Sequence, residues 1–311
     1  MSNRHLCLPS WGRRPRLQRV SRPAVAFLLA LPSLASAAPP PTFSGAAALE
    51  LTRRAVALGQ RPAGSQADRK LQALIRAQLK PLGCEIIDDA FHASTPLGPI
   101  AMKNIIARFR GSSGHIVAIT GHYDTKSIPG TYFLGANDGG SSTGFLLELA
   151  RVLSRLPHKN DIYLVWLDGE EAIAEWSDTD GTYGSRHLAA KWAADGTLSR
   201  LKALINVDMI GDRDLTLVND TNSTDWLRRL VWETAGQLGL SSHFSEVAGA
   251  LEDDHIPFVK DGVSAVDLID FDYGPQNSWW HTDRDTMDKL SPASLQVVGD
   301  VVLATIRRLE P

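Results

Sequence analysis

Five stretches of this 311-residue chain carry acids or histidines in positions from which they could reach one shared site. Carboxylates gathered at one place repel one another unless protons or a cation intervene. A mixture of imidazole and carboxylate donors suits zinc, which commonly takes three protein ligands and leaves one position for substrate or water. The stretches are His122-Tyr123-Asp124, Asn137-Asp138-Gly139-Gly140, Asp168-Gly169-Glu170-Glu171, Asp208 and Trp279-Trp280-His281-Thr282.

From these stretches we predict a zinc site formed by Asp138, Glu171 and His281. Each acid taken alone has a simpler interpretation, because acids that follow strands often cap the next helix. Taken together, the three residues share one explanation in the ligand chemistry of zinc.

Glu170 directly precedes Glu171, and the pair suggests two separate roles. Adjacent residues in a loop point in different directions, so one carboxylate can hold the metal while its neighbour faces the substrate as a general base. The alternative is a solvated acidic turn. The apolar run 162–167 argues against it, because this run predicts a buried strand that leads straight into the pair. We therefore expect Glu170 to be the base.

The hydrophobic periodicity predicts the elements that position these residues. Segments 44–58 and 66–80 repeat apolar side chains every three or four positions, which predicts two amphipathic helices. Segments 84–92 and 103–110 favour strands, and the turn residues 95–99 between them predict an antiparallel hairpin. The series that follows is strand 115–121, helix 140–156, strand 161–167, helix 185–194, strand 201–207, helix 223–238, strand 263–269 and helix 292–309.

This alternation of strands and helices favours right-handed crossovers and a mainly parallel sheet. We predict one three-layer α/β domain over residues 42–311, with a central mixed, mainly parallel sheet flanked by helices. Ligands of such sheets gather at the carboxyl ends of the strands. The acids and histidines named above follow those ends.

The composition is that of an ordinary globular protein, with 43% hydrophobic and 22% charged residues. It excludes a disulfide-rich scaffold and a charged, disordered chain. Beyond residue 37 the chain carries 26 basic against 35 acidic residues, a formal charge of −9. Because no basic excess is present to attract phosphates, we expect no nucleic-acid partner.

Residues 1–37 have the layout of a secretory signal peptide. They contain six arginines and no acid, followed by the apolar run 24–31 and then Ala35-Ser36-Ala37. The run is far shorter than the roughly 20 residues needed to span a bilayer. We predict cleavage near Ala37, a mature chain without a membrane span, and a periplasmic or secreted location. The export route stays open.

The same residues carry a resemblance to a known family. Over nearly all of the mature chain, the sequence resembles the zinc-aminopeptidase-like family and, within it, the animal-type glutaminyl cyclases. The matching motifs are Arg61-Pro62-Ala63-Gly64-Ser65, Gly121-His122-Tyr123-Asp124, Asp168-Gly169-Glu170-Glu171-Ala172, the segment from Trp176 to Ala189, Asp253-Asp254-His255-Ile256-Pro257-Phe258, and Trp280-His281-Thr282. Two parts depart from the cyclases: Asn137-Asp138-Gly139-Gly140 is closer to the peptidases, and loop 271–278 aligns with neither group.

The resemblance implies one zinc ion, bound by Asp138, Glu171 and His281. Aminopeptidases of this family resemble the cyclases in these ligands but hold two metals bridged at the position of Asp138. A second ion at His122 and Asp208 therefore stays open.

The resemblance also implies that Glu170 moves a proton from the α-amine of the substrate to the departing ammonia. Asp208 and Asp253 would hydrogen-bond to Glu170 and to the tetrahedral intermediate. Trp176 and Trp280 would form apolar walls around the glutamine side chain. The alternative for Trp176 is core packing, because tryptophans are largely buried on average.

We therefore predict an exported zinc-dependent acyltransferase, a glutaminyl-peptide cyclotransferase that converts the N-terminal Gln of peptides to pyroglutamate and releases ammonia. The first alternative is a zinc aminopeptidase that hydrolyses N-terminal residues, and the second is a metal-free binding module on the same fold. Asp253 and segment 176–189 favour the cyclase over the peptidase. His255 is expected to orient its neighbours rather than to bind metal.

Overall fold

The computed structural model describes residues 41–310, together with residues 12, 13 and 16. In chain order its strands are β1 (Glu85–Thr95), β2 (Gly98–Phe109), β3 (Ile116–His122), β4 (Asp161–Leu167), β5 (Leu201–Asp208), β6 (Leu217–Asp220), β7 (Phe244–Gly249) and β8 (Ala265–Ile269). Six of them form one sheet in the order β1-β2-β4-β3-β5-β8.

The large sheet is mixed. β1 runs antiparallel to β2, and β2 runs antiparallel to β4, at one side of the sheet. The remaining pairings, β3 with β4, β3 with β5, and β5 with β8, are all parallel. The predicted hairpin and the predicted mixed, mainly parallel sheet are thus confirmed.

Helices cover both faces of this sheet. They are α1 (Gly45–Val56), α2 (Gln66–Leu79), α3 (Gly140–Leu153), α4 (Tyr183–Ala194), α5 (Asp225–Gln237), α6 (Ile256–Lys260) and α7 (Pro292–Arg308). Successive residues of a strand point to opposite faces. Val117 and Ile119 of β3 therefore pack in the core on the side of α1, α2, α3, α5 and α7, whereas Ile116 and Ala118 pack against α4 and α6. The result is the predicted three-layer arrangement.

Capping residues fix where α2 and α7 begin, and a glycine determines how closely α1 approaches α3. The Ser65 hydroxyl accepts the Asp68 N–H at 3.0 Å and caps α2, and Ser291 precedes Pro292 at the first position of α7. In α3, a Cβ at Gly144 would lie 2.2 Å from Thr52 Oγ1 of α1. The absent side chain lets α1 pack directly on α3, whose first turn follows the Asp138 loop.

Three short elements, β6, β7 and α6, were not predicted. β6 and β7 pair in parallel as a separate two-stranded sheet, and α6 is a five-residue helix. Such short segments show too few periods of alternation to stand out from loops. The small sheet matters for function because β7 leads into residues 250–253, which reach the site.

The predicted signal peptide, residues 1–37, lies outside the described residues apart from residues 12, 13 and 16. Within the described residues, no helix combines the length and the apolar character required to cross a membrane.

Candidate active site and metal centre

The site lies where the parallel strands end. His122 and Asp208 are the last residues of β3 and β5, and Glu170 and Glu171 follow β4 after a two-residue turn. Asp138 comes from the loop before α3, and His281 comes from the long loop after β8. The carboxyl ends of parallel strands meet at one edge of a sheet, so residues far apart in the chain converge there.

The structure brings the three predicted zinc ligands together. His281 Nε2 lies 3.1 Å from Glu171 Oε1 and 3.3 Å from Asp138 Oδ2. One ligand atom from each of the three residues lies within 4.8 Å of the others. This donor set of two carboxylates and one imidazole is the kind that zinc accepts.

The electrostatics of the three residues fit a cation. Burial alone would lower the pKa of His281, but hydrogen bonds to the carboxylates of Asp138 and Glu171 outweigh it and raise this pKa to about 10. Burial alone would raise the pKa of Asp138, yet the imidazoles of His122 and His281 hold it well below its usual range. Without a metal, protonated imidazole supplies the positive charge that the carboxylates require. Zinc is therefore compatible with the site.

A second group of possible ligands shares Asp138. His122 Nε2 lies 3.1 Å from Asp208 Oδ1 and 3.2 Å from Asp138 Oδ1, and the three residues again offer ligand atoms within 4.8 Å of one another. Burial would lower the pKa of His122, but Asp208, Asp124 and Asp138 raise it well above its usual value. The site thus contains two overlapping donor groups, and the geometry alone accommodates one ion or two.

Backbone contacts fix the orientation of Glu170. The carboxylate of Asp124 accepts the N–H groups of Glu170 and Glu171, at 3.1 and 3.4 Å. Gly169 before them has φ +68°, and a Cβ there would lie 2.5 Å from Met102 Sδ, so the turn requires glycine. This explains why Asp168-Gly169-Glu170-Glu171 places the two carboxylates as neighbours with different surroundings.

The buried carboxyl of Glu170 has a pKa well above its ordinary value. Burial is the main cause, and the repulsion from Glu171 and Asp253 adds to it, against the opposing effect of His122. Glu170 Oε2 lies 4.0 Å from His122 Nδ1. A carboxyl group that binds a proton more readily than usual can serve as both a general acid and a general base.

Asp208 and Asp253 contact other partners than expected. Within the described chain, Asp208 bonds to His122 rather than to Glu170. Asp253 Oδ1 accepts the N–H of Asp254, while its buried Oδ2 has no hydrogen-bond partner among the described residues. Asp253 also lines the cavity, so its carboxyl group lies beside the space that a ligand would occupy.

His255 belongs to neither donor group. It is fully buried, with Nε2 3.2 Å from Asp220 Oδ2 and Nδ1 3.8 Å from Asp267 Oδ2. Asp220 in turn accepts the N–H of Leu251 at 3.0 Å. These residues therefore support the 251–253 segment from behind.

A cavity of about 300 Å³ opens next to the donor groups. Seven acidic or imidazole side chains, among them Glu170, Glu252 and Asp253, line it. The apolar part of the lining is formed chiefly by Trp176, Leu251, Ile269, Phe271 and Trp280.

Both predicted tryptophans line this cavity. Trp176 is 43% exposed, which excludes the core-packing alternative. Trp280 stacks on the His281 ring at 4.0 Å and meets Phe271 edge to face at 4.9 Å. Leu251 and Phe271 were not predicted, because they lie in segments without periodicity.

A compact turn holds Trp176. The Asp180 carboxylate accepts the N–H groups of Ile173, Ala174 and Glu175 and the hydroxyl of Tyr183, all within 3.0 Å. A Cβ at Gly181 would lie 2.9 Å from the Trp176 ring. The turn therefore requires glycine there and presents the indole to the cavity.

Comparisons with known proteins agree with this geometry. The model of peptidase family M28 matches residues 104–306. The glutaminyl-peptide cyclotransferase of Drosophila melanogaster is 31% identical over 242 residues, covering 70% of this chain and 68% of that protein. A crystal structure of an Acidobacteriales bacterium glutaminyl cyclase is 42% identical with a TM-score of 0.85, covering 88% of this chain and 97% of its own. A Zn-dependent exopeptidase from Parabacteroides distasonis shares the fold at 24% identity and a TM-score of 0.76, covering 86% and 98% of the two chains.

Proposed function

Because this chain belongs to peptidase family M28 and, within it, to the glutaminyl-peptide cyclotransferases, we propose that it converts the N-terminal glutamine of peptides to pyroglutamate and releases ammonia. In this reaction the α-amine nitrogen bonds to the γ-carboxamide carbon and the bond from that carbon to the amide nitrogen breaks. One proton moves from the attacking amine to the departing ammonia. The enzyme is an acyltransferase.

The observation that carries the proposal is the position of Glu170. It is a buried carboxyl with a raised pKa, beside the Asp138-Glu171-His281 group and on the wall of the cavity. A group in this position can take the proton from the α-amine and deliver it to the leaving nitrogen, because its affinity for a proton suits both transfers.

Asp138, Glu171 and His281 would hold one zinc ion. When bound, zinc supplies a Lewis acid that polarises the γ-carbonyl of the substrate. His122 and Asp208 complete the second donor group, so metal analysis decides between one ion and two.

The remaining side chains position the substrate. The carboxyl group of Asp253, which lines the cavity, is an acceptor for the α-amine, which needs to lose a proton before it can attack. Asp208, held by His122, adds negative charge on the same side. We assign both to binding and orientation of the amine during the transfer that Glu170 carries out.

The apolar walls favour cyclisation over hydrolysis. Both reactions begin with attack on a carbonyl, but water competes only if it reaches the site. Trp176 and Trp280 fold the short glutamine side chain back on its own amine and exclude water. Holding the two reacting groups together in this way lowers the barrier by avoiding a bimolecular encounter.

A comparison of two peptides tests the proposal. The purified protein is incubated with a Gln-initiated and a Leu-initiated peptide of otherwise identical sequence. The expected products are ammonia and a pyroglutamyl peptide from the first and none from the second. Free leucine would establish an aminopeptidase instead, and no product from either peptide without bound zinc would favour a binding module.

We further propose that residues 1–37 are a signal peptide and that the mature enzyme, whose catalytic domain is residues 42–311, acts in the periplasm or outside the cell. The charge pattern and apolar run of the N-terminus support this. N-terminal sequencing of the exported protein tests it: a mature chain that begins near residue 38 agrees, and an intact Met1 contradicts it.

A further inference from the structure

Asp285 is a buried carboxylate that belongs to neither donor group and joins the two loops that carry Asp138 and His281. It is fully buried. Its Oδ1 accepts the N–H of Asn137 at 2.8 Å and the hydroxyl of Tyr273 at 2.7 Å, and its Oδ2 accepts the N–H of Asp138 at 3.2 Å. One carboxylate therefore takes three hydrogen bonds from two separate loops.

On the first loop, Asp285 holds the backbone of a predicted ligand. Asn137 is fixed further through its own side chain, which donates to Met209 O at 3.0 Å and accepts the N–H of Gly211 at 2.7 Å. The Asp138 N–H thus belongs to a rigid turn whose position Asp285 sets.

On the second loop, the contacts of Asp285 enclose His281. Tyr273 precedes His281 by eight residues and Asp285 follows it by four, so their hydrogen bond closes the loop at both ends. The Tyr273 ring packs edge to face on Trp279 at 5.4 Å, and the Trp279 N–H donates to Tyr273 O at 3.2 Å. The Asp285 N–H donates to Thr282 O at 3.3 Å.

His281 itself has a backbone conformation that needs support. Its φ is +54°, in the left-handed region that non-glycine residues rarely adopt. Residues held in such regions are strained and persist only when surrounding contacts fix them. The closed loop between Tyr273 and Asp285 supplies those contacts.

From this geometry we infer that Asp285, with Tyr273, is a positioning residue that sets the separation of Asp138 and His281 before the metal binds. The inference rests on the proposed zinc site. Asp285 contributes no atom to the metal. It acts by preorganising two ligands that come from two separate loops.

The test is the zinc affinity of metal-free protein, measured by competition with a chelating indicator. Outer contacts of metal ligands typically contribute about 10–100-fold in affinity. We expect Asp285→Asn to weaken zinc binding in this range, and Tyr273→Phe to weaken it by about 3–10-fold, since only one of three hydrogen bonds is lost. In the double variant the effects should not multiply, because both changes break the same link.

Asp161→Asn is the matched control. Asp161 is also a buried carboxylate that accepts a backbone N–H, from Gly111 at 2.7 Å, but it lies at the start of β4, at the opposite end of the sheet. This variant should lose stability without losing zinc affinity. The absorption spectrum of the cobalt-substituted protein gives a second readout, since altered ligand geometry should shift its bands in Asp285→Asn and leave them unchanged in Asp161→Asn.

Zinc affinity within twofold of wild type in a folded Asp285→Asn protein, with an unchanged cobalt spectrum, would overturn the inference. If that variant does not fold, normal affinity in Tyr273→Phe would overturn it equally. The readout needs no substrate, so wild-type protein that binds zinc but cyclises no glutamine contradicts the proposed function alone.

Discussion

Glu171 Oε1 and His281 Nε2 lie 3.1 Å apart although 110 positions separate the two residues in the chain. Glu171 is placed by the end of β4, and His281 by a loop that follows β8. The carboxylates that meet at this point, including Asp138, repel one another in the absence of a positive charge. The local stability of this edge of the sheet therefore depends on a positive charge between these carboxylates.

Metal removal should lower the stability of the folded protein. A ligand present at about 1,000 times its Kd stabilises the native state by about 4 kcal/mol. We expect the Tm measured by calorimetry to fall after chelation and to recover when zinc is added back. An unchanged Tm in protein shown to be metal-free would contradict the proposed site, and elemental analysis of the reloaded protein counts the ions.

Separate substitutions of the adjacent residues Glu170 and Glu171 should distinguish the general base from the metal ligand. Glu170→Gln should keep zinc content near that of wild type and lower kcat by about 100-fold or more, since it removes a proton-transfer group. Glu171→Gln should lose zinc. The measurements are metal content and ammonia release, and the opposite pattern would show that the two roles are reversed.

Removal of the Trp176 indole should open the cavity. Burial of a large apolar side chain is worth about 1.5–3 kcal/mol, so Trp176→Ala should lower kcat/KM by about 10–100-fold. It should also convert some of the Gln-initiated peptide to a peptide with an N-terminal glutamate, because water gains access to the γ-carboxamide. Trp226→Ala is the control, since Trp226 is similarly exposed, at 42%, but lies on α5 away from the cavity. Equal effects of both variants would exclude a specific role for Trp176.

Asp220 should make stability depend on pH in acid. Burial would raise its pKa, but the close contact with His255 and the hydrogen bonds from Ser223 and the backbone outweigh it and lower this pKa from 3.8 to about 2. Because the folded state favours the charged form, the resulting stability is present above about pH 4 and is lost as the pH falls towards 2.

Asp220→Asn should therefore be less stable than wild type by about 1–2 kcal/mol at pH 6. The difference in the free energy of unfolding, measured by urea denaturation, should shrink between pH 4 and pH 3. A constant difference across this range would show that Asp220 contributes only through packing.

The sequence predicts the large sheet and the convergence of Asp138, Glu171 and His281 well for a physical reason. Both depend on local signals, namely apolar runs and the polar residues directly after them. The run 162–167, for example, lies in strand β4, which spans 161–167 as expected. Parallel topology then brings those residues together. His122 and Asp208 were recognised in the same way, because they end strands.

Asp285 and Asp220 could not be predicted by such reasoning. Their function is to accept backbone N–H groups from distant segments, such as Asn137, 148 positions from Asp285. Backbone groups are the same in every residue, so they leave no pattern in the sequence. Phe271 was missed for a related reason, since the path of a long loop follows from tertiary contacts.

Because of the small β6–β7 sheet, part of the cavity wall and the candidate metal ligands belong to separate structural elements. Leu251 and its neighbours follow β7, whereas Asp138, Glu171 and His281 depend on the large sheet and its loops. Side chains of residues 250–252 can therefore be exchanged without disturbing these three residues or Glu170. A library randomised at these positions is a practical route to variants that accept bulkier or differently charged peptides, with the chemistry inherited intact.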